Sequence, residues 1–266
     1  MRFKASLTSH GLRKYIGEFT ATFLLFSCIF ASLVTANRVV PEGRLLADAL
    51  TTAFVLGPVI FMFIDISGAH MNPAVSIGSW ILGRIGIIQM TIYIIIQIVA
   101  SILAALFMFV VFTNNIPNVP TIQDSIFIAP PEHSTKIKVV CMESFLSFCL
   151  VYSVFSLAVD KVEPKDHSLV VDEEAQTEHA VICTVNGTNK NFFAPFAIGF
   201  FVGGLTLVGG ETRSALNVSR AFGPNLIKGD LSGIWIYIVG GVVGSVLASL
   251  LHKYATATRG SLWSSE

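Results

Sequence analysis

The sequence has few charged residues and no excess of either sign. Charged residues make up 13% of the 266 positions, and 17 Lys plus Arg residues balance 17 Asp plus Glu residues. This balance leaves neither a basic surplus to bind nucleic acid nor an acidic surplus to bind a cationic partner. We therefore expect no nucleic-acid partner.

Cysteine is also scarce, with four in the chain. Three of them lie inside apolar runs and one in a polar stretch, and their spacing fits neither a disulfide framework nor a zinc site. No nucleophile–base pair, phosphate loop or metal cluster stands out in the sequence. We therefore expect no cofactor, no bound metal and no enzymatic activity.

What the sequence has in abundance is hydrophobic residues, at 53% of the chain, with a mean hydropathy of +0.71. A helix needs about 20 apolar residues to cross the hydrocarbon core of a membrane. Six segments meet this requirement and predict an all-α membrane protein: Tyr15–Ala36, Leu46–Ile66, Gly86–Phe112, Ile137–Val159, Phe192–Gly209 and Gly233–Leu251.

Basic residues before the first span predict the orientation. Arg2, Lys4, Arg13 and Lys14 precede it, and positive charge flanking a span favours the cytoplasmic side. With six spans, both termini are expected in the cytoplasm. The sequence carries no recognisable retention or lipidation motif, so the membrane is either the plasma membrane or that of an internal vesicle.

Two further apolar segments, Pro73–Leu82 and Val218–Ile227, are too short to span, and each follows an asparagine. Irregular backbone at membrane depth occurs where protein or a water-filled cavity satisfies it, and matched short segments indicate an inverted repeat. The sequence therefore predicts one transmembrane domain of two inverted halves, about 1–125 and 126–266. The two re-entrant half-helices are expected to meet near the midplane.

The residues at these half-helices resemble a known family. The sequence SGAHMNPAV at 67–75 resembles the first signature of the aquaporin (major intrinsic protein) family, and NVSRAFGP at 217–224 resembles the second. The similarity extends over nearly the whole chain. It implies the aquaporin fold and a homotetramer in membrane lipid. The second signature departs from the family pattern at Val218 and Ser219, where proline and alanine are usual.

The two motifs, Asn72-Pro73-Ala74 and Asn217-Val218-Ser219, have a chemistry that suits a water pore. An asparagine that caps a helix can anchor the turn and still direct an amide N–H into the lumen. Pro73 suits the first turn of a helix because its missing N–H would have no partner there. We expect Val218 to preserve the geometry of the asparagine. The alternative is that both asparagines are ordinary turn residues.

Arg220 is an ionisable residue in an otherwise apolar segment, which marks a functional site. The resemblance makes it the arginine of the outer constriction, where it donates to passing water and repels cations. The alternative is an arginine that forms an ion pair between helices. The family pattern places the rest of the selectivity filter at Thr206, Ser214 and Thr52, with Leu205 and Phe54 as the alternatives to the two threonines.

Three more polar residues are assigned by the same resemblance. Glu18 and Glu143 are expected to accept hydrogen bonds from backbone N–H groups of the re-entrant loops, and a proton relay is the competing interpretation. His70 is expected to line the cytoplasmic half of the pore, or else to pack within its loop. The connection at 160–191 is long, and one interpretation is that it gates the pore from the cytoplasm through Ser168 or Thr177. The alternative is a solvated, mobile loop.

Three functions remain open from the sequence. The first is a passive water channel that excludes ions and protons. The second is a broader pore for small neutral solutes such as glycerol, ammonia, urea or peroxide; Ala221, where glycerol-conducting members carry an aspartate, argues against the glycerol subclass. The third is a structural or adhesion protein with little transport.

Overall fold

The computed structural model describes residues 9–159 and 190–256. Within these two ranges every regular element is helical. The long helices α6 and α9 each end in a π-helical turn, at Phe155–Val159 and His252–Thr256. In chain order the α-helices are α1 (Ser9–Val39), α2 (Arg44–Ser67), α3 (Pro73–Ile81), α4 (Ile87–Val111), α5 (Ile122–Ile126), α6 (Lys136–Val154), α7 (Lys190–Val208), α8 (Val218–Lys228) and α9 (Ile234–Leu251).

The helices agree with the predicted spans and half-helices. Spans one to six correspond to α1, α2, α4, α6, α7 and α9, and the half-helices to α3 and α8. In the described part of the chain, five helices are long and apolar enough to cross a membrane, and the apolar stretch of α7, Phe193–Val208, is shorter. The prediction of an all-α membrane protein with two re-entrant half-helices is confirmed.

The two halves pack in a crossed arrangement. The half-helix α3 of the first half packs against α9 of the second, and α8 packs against α4. One serine hydrogen bond stabilises each of these contacts. Ser101 in α4 donates to the carbonyl of Ser219 at 2.5 Å, and Ser245 in α9 donates to the carbonyl of Ala74 at 2.6 Å. Each carbonyl lies two residues after the capping asparagine, so the contacts are related by the inverted repeat.

Small residues set the closest helix contacts. Gly199 and Gly203 of α7 face α2, where a Cβ on Gly199 would lie 2.7 Å from the backbone nitrogen of Gly57. Gly240 and Gly244 of α9 face α6 in the same way. Residues without a Cβ let helix backbones approach closely in a membrane. These contacts hold α2 beside α7 and α6 beside α9, with the cavity described below between the halves.

Candidate pore

The capping asparagines have nearly identical geometry. Asn72 has φ −152° and ψ 126°, and its side chain accepts from the backbone N–H of Ala74 at 2.9 Å. Asn217 has φ −152° and ψ 117°, and accepts from the N–H of Ser219 at 3.0 Å. Val218 therefore occupies the first position of α8 without disturbing the cap, as Pro73 does in α3.

Each asparagine also binds the loop of the other half. The Nδ2 of Asn72 donates to the carbonyl of Leu216 at 3.0 Å, and the Nδ2 of Asn217 donates to the carbonyl of Met71 at 2.7 Å. A primary amide has two N–H donors, so each asparagine retains one after this bond. Both asparagines line the same cavity, and the amino termini of the two half-helices meet there.

Buried glutamates hold the loops that precede both asparagines. Glu18 accepts from the backbone N–H groups of His70 at 3.2 Å and Met71 at 2.5 Å. It also accepts from the side chains of Ser67 at 2.9 Å and Gln97 at 2.7 Å. Met71 has a φ of 49°, which is uncommon for a residue with a side chain. The carboxylate therefore stabilises an uncommon backbone conformation of the loop.

Glu143 does the same in the second half. Its carboxylate accepts from the N–H groups of Ala215 at 2.6 Å and Leu216 at 3.2 Å, and Leu216 has a φ of 58°. The paired N–H groups lie one and two residues before the capping asparagine in both halves. Both carboxylates therefore accept hydrogen bonds from the backbone of the loop that precedes an asparagine.

A cavity of about 1450 Å³ runs along the interface of the two halves. We call its ends the amino-terminal mouth, on the side where α1 begins, and the opposite mouth. Arg13, Tyr15 and Arg84 line it near the amino-terminal mouth, followed by His70, and then by both asparagines. The rest of its wall consists mainly of apolar residues with a few polar ones, and includes Thr52, Leu56, Ile60, Ile198, Val202, Thr206, Ala215 and Arg220.

His70 lines the cavity and also packs within its own loop. Its Nδ1 lies 3.1 Å from the hydroxyl of Ser76, and its ring meets Tyr93 edge-on at a centroid distance of 5.2 Å. The histidine therefore has both of the positions considered from the sequence: it lines the cavity, and it packs within its loop.

The structure distinguishes the two candidates in span two. Thr52 is buried and lines the cavity. Phe54 is 62% exposed on the outside of the bundle and packs edge-on against Phe200. Residues two apart on a helix lie on different faces, so only one of these side chains can face the cavity, and it is that of Thr52.

The structure also places the two candidates in span five. The side chain of Thr206 lines the cavity, and its hydroxyl donates to the carbonyl of Val202 at 3.0 Å. Leu205 is buried in the hydrophobic core with residues such as Leu146 and Leu216. Thr52 and Thr206 therefore contribute short polar side chains to the same stretch of the wall.

Ser214 takes a different place from the one expected of a filter side chain. Its hydroxyl is 2.9 Å from the hydroxyl of Thr212, and Ala215 lines the cavity in this loop. The carbonyls of Ser214 and Ala215 instead accept from the Nη1 of Arg220 at 3.3 Å and 3.4 Å. The loop therefore presents backbone oxygens to the arginine. Arg213, which immediately precedes Ser214, has a φ of 51°.

Arg220 lines the cavity and is also ion-paired. Its Nη2 donates to the Oδ2 of Asp48 in α2 at 2.5 Å. Arg220 is therefore both a cavity-lining residue and a partner of an ion pair between α2 and α8. Asp48 was not among the predicted site residues, although an acidic residue inside an apolar span was a signal that could have found it.

Two predicted features lie outside the described residues. These are the connection at 160–191, apart from its last two residues at the start of α7, and its proposed switch residues, Ser168 and Thr177. Within the described residues, no group of three or more His, Cys, Asp or Glu side chains is placed to hold a metal ion.

Comparison with known proteins gives a consistent result. A family model described as major intrinsic protein matches residues 5–252. Aquaporin TIP2-3 of Arabidopsis thaliana is 37% identical over 254 residues, which cover 93% of this chain and 88% of that protein. Aquaporin-B of Dictyostelium discoideum is 31% identical over 248 residues, which cover 93% of this chain and 84% of that protein.

The fold is also similar to a solved structure, the aquaglyceroporin from Plasmodium falciparum. The TM-score is 0.68 at 21% identity, over 92% of this chain and 96% of that one, and a likeness at this identity concerns the fold alone. The residues that the family model matches include both half-helices, both asparagines and all the cavity-lining helices. The chain therefore belongs to the major intrinsic protein family and is a multi-pass membrane channel, not an enzyme.

Proposed function

We propose that this channel conducts water passively and excludes ions and protons. The observation that carries the proposal is the meeting of Asn72 and Asn217 in one cavity, each with an amide N–H left after its loop contact. Two such donors bind the oxygen of a passing water molecule. The largely apolar wall around them offers few competing partners, which favours a single file of water.

Exclusion of protons and cations follows from the half-helices. The amino terminus of a helix carries a partial positive charge of about half an elementary charge. The capping asparagines of α3 and α8 bring two such termini together at the centre of the cavity. Opposed half-helix dipoles of this kind raise an electrostatic barrier to cations in aquaporin-type pores. The proposed roles of Glu18 and Glu143 are to hold this arrangement in place.

A second candidate function is passage of small neutral solutes such as urea, ammonia or peroxide. The observation that favours it is the pair of short polar side chains, Thr52 and Thr206, on the cavity wall near Arg220. Threonines leave more room than aromatic or imidazole side chains and offer hydroxyl groups to a polar solute. This function is compatible with water conduction. The two candidates differ only in whether small neutral solutes pass in addition to water.

Osmotic measurements on purified protein in lipid vesicles separate these functions. An impermeant osmolyte gradient should cause faster shrinkage than in protein-free vesicles. Gradients of urea and glycerol then report solute entry. Water flow without solute entry supports the narrow pore, and entry of urea supports the broader one. Shrinkage at the protein-free rate, with correctly folded protein, would leave a structural or adhesion role.

The altered second motif should have little effect on conduction. Val218→Pro with Ser219→Ala restores the usual family residues, and the cap of Asn217 already has the geometry of Asn72. Water permeability per channel should therefore change by less than about tenfold, which corresponds to about 1.4 kcal/mol of barrier. Vesicle shrinkage rates, normalised to the amount of inserted protein, measure the change. A much larger gain would mean that Val218 and Ser219 restrict the natural pore.

The proposed setting is a homotetramer in which the amino-terminal mouth faces the cytoplasm. The basic cluster before α1 supports this orientation by the positive-inside rule, and family membership supports the tetramer. Large apolar side chains exposed on the outer faces of the long helices provide surfaces for lipid and for neighbouring copies. The membrane is that of the cell surface or of an internal vesicle.

A further inference from the structure

Asp48 lies one helical turn before Thr52 in α2. Residues four apart on a helix lie on the same face, so this carboxylate is directed to the same side of α2 as the cavity-lining threonine. The side chains of Asp48 and Arg220 are 9% and 8% exposed, and they are joined at 2.5 Å. A buried acidic group at membrane depth is costly unless it is paired. The pairing therefore accounts for the presence of Asp48 in an apolar span.

Hydrogen bonds hold the guanidinium of Arg220 from two sides. Its Nη1 donates to the carbonyls of Ser214 and Ala215 in the loop before α8, and its Nη2 donates to Asp48 in α2. The second carboxylate oxygen of Asp48 has no hydrogen-bond partner among the described residues. Arg220 thus stabilises the carboxylate of Asp48 by a hydrogen bond. Thr52 and Thr206 line the same cavity as Arg220.

The pair changes the charge that a permeating molecule meets. A lone arginine would present a full positive charge, whereas an arginine paired with a carboxylate has no net charge at short range. Interactions between charges are strong where water is scarce. Arg44 interacts electrostatically with Asp48, Arg220 and Arg213. Removal of the ion pair therefore leaves the positive charges of Arg44 and Arg213 near this end of the cavity.

We propose that Asp48 is a specificity-determining residue of the pore, because its carboxylate cancels the charge of Arg220 and holds the guanidinium at the constriction. The inference rests on the proposed conduction of water and neutral solutes. With both residues present, the constriction favours neutral molecules. Relative to a pore without the pair, Arg220 alone adds a positive charge that favours anions, and Asp48 alone adds a negative charge that favours cations.

A double-mutant cycle in vesicles tests the proposal. Asp48→Asn should raise the leak of a small anion such as nitrate by at least about tenfold, and Arg220→Met should raise the leak of a small cation such as potassium by a similar factor. The combined variant, Asp48→Asn with Arg220→Met, retains only the background charge of Arg44 and Arg213 and is the reference for both leaks.

An ion pair away from the cavity provides the matched control. Asp124 in α5 is bound by Lys228 at 3.0 Å and is half-exposed. Hydrogen bonds from Thr121 and Lys228 hold the pKa of Asp124 below its usual range, so Asp124→Asn removes a real charge. This variant should change neither leak. A rise in anion leak as large as that of Asp48→Asn would assign the effect to surface charge and overturn the proposal.

Two outcomes separate this inference from the proposed function. In the first, Arg220→Met leaks cations no more than the combined variant, and Asp48→Asn shows no anion preference. Asp48 then does not act at the constriction, whatever the water permeability of the natural protein. If the natural protein conducts no water but the two single variants leak ions of opposite sign, the pair is upheld and the water channel is rejected. Either single variant carries the test if the other does not assemble, since each has its own sign of leak.

Discussion

Thr52→Trp should abolish conduction of water and of every solute that the natural protein passes. Thr52 lines the cavity close to Thr206 and Arg220, and an indole at this position would occupy the space between them. The substitution removes none of the hydrogen bonds described for the capping asparagines or their supporting glutamates. Folding and membrane insertion should therefore persist. Shrinkage of vesicles with known protein content measures the loss.

Phe54→Trp is the matched control for this prediction. The same residue is introduced two positions along the same helix, where the side chain is 62% exposed and contacts Phe200. An indole is well tolerated on an apolar surface, so conduction should equal that of the natural protein. Equal and undiminished flow in both variants would show that Thr52 does not line the constriction. A block by Phe54→Trp alone would show that the helix is rotated.

The elements that could be predicted from the sequence are those with local causes. The long apolar runs identify the spans, because a membrane requires about 20 apolar residues in a helix. Asn72 and Asn217 identify the starts of the half-helices, because a helix cap depends on a residue and the two that follow it. These two features lead to the fold without any knowledge of long-range contacts.

The arrangement of the side chains around Arg220 depends on causes that the sequence does not show directly. Asp48 and Arg220 are 172 positions apart, and nothing near either residue indicates its partner. The choice between Thr52 and Phe54 depends on the rotation of α2, which is set by packing against α7. Ser214 lies in a loop with left-handed residues on either side, where counting positions does not give the direction of a side chain.

That packing leads to the second large prediction, which concerns Gly203 in α7. A Cβ at this position would lie 2.6 Å from the Cβ of Ala53 and 2.7 Å from the carbonyl oxygen of Ala49, both in α2. Backbone atoms cannot move aside as a flexible side chain can, so Gly203→Ala must separate the two helices. Overpacking of this kind costs about 1–3 kcal/mol. The thermal unfolding temperature in detergent should fall clearly.

The neighbouring glycine supplies the comparison. Gly204 is exposed, and a Cβ there would meet no atom within 4 Å. Alanine is favoured over glycine in a helix by about 1 kcal/mol. Gly204→Ala should therefore leave the unfolding temperature unchanged or raise it. Equal unfolding temperatures for the two variants would contradict the close contact of α2 and α7. Since these helices carry Thr52 and Thr206, any Gly203→Ala protein that assembles should also show altered solute entry, whereas Gly204→Ala should not.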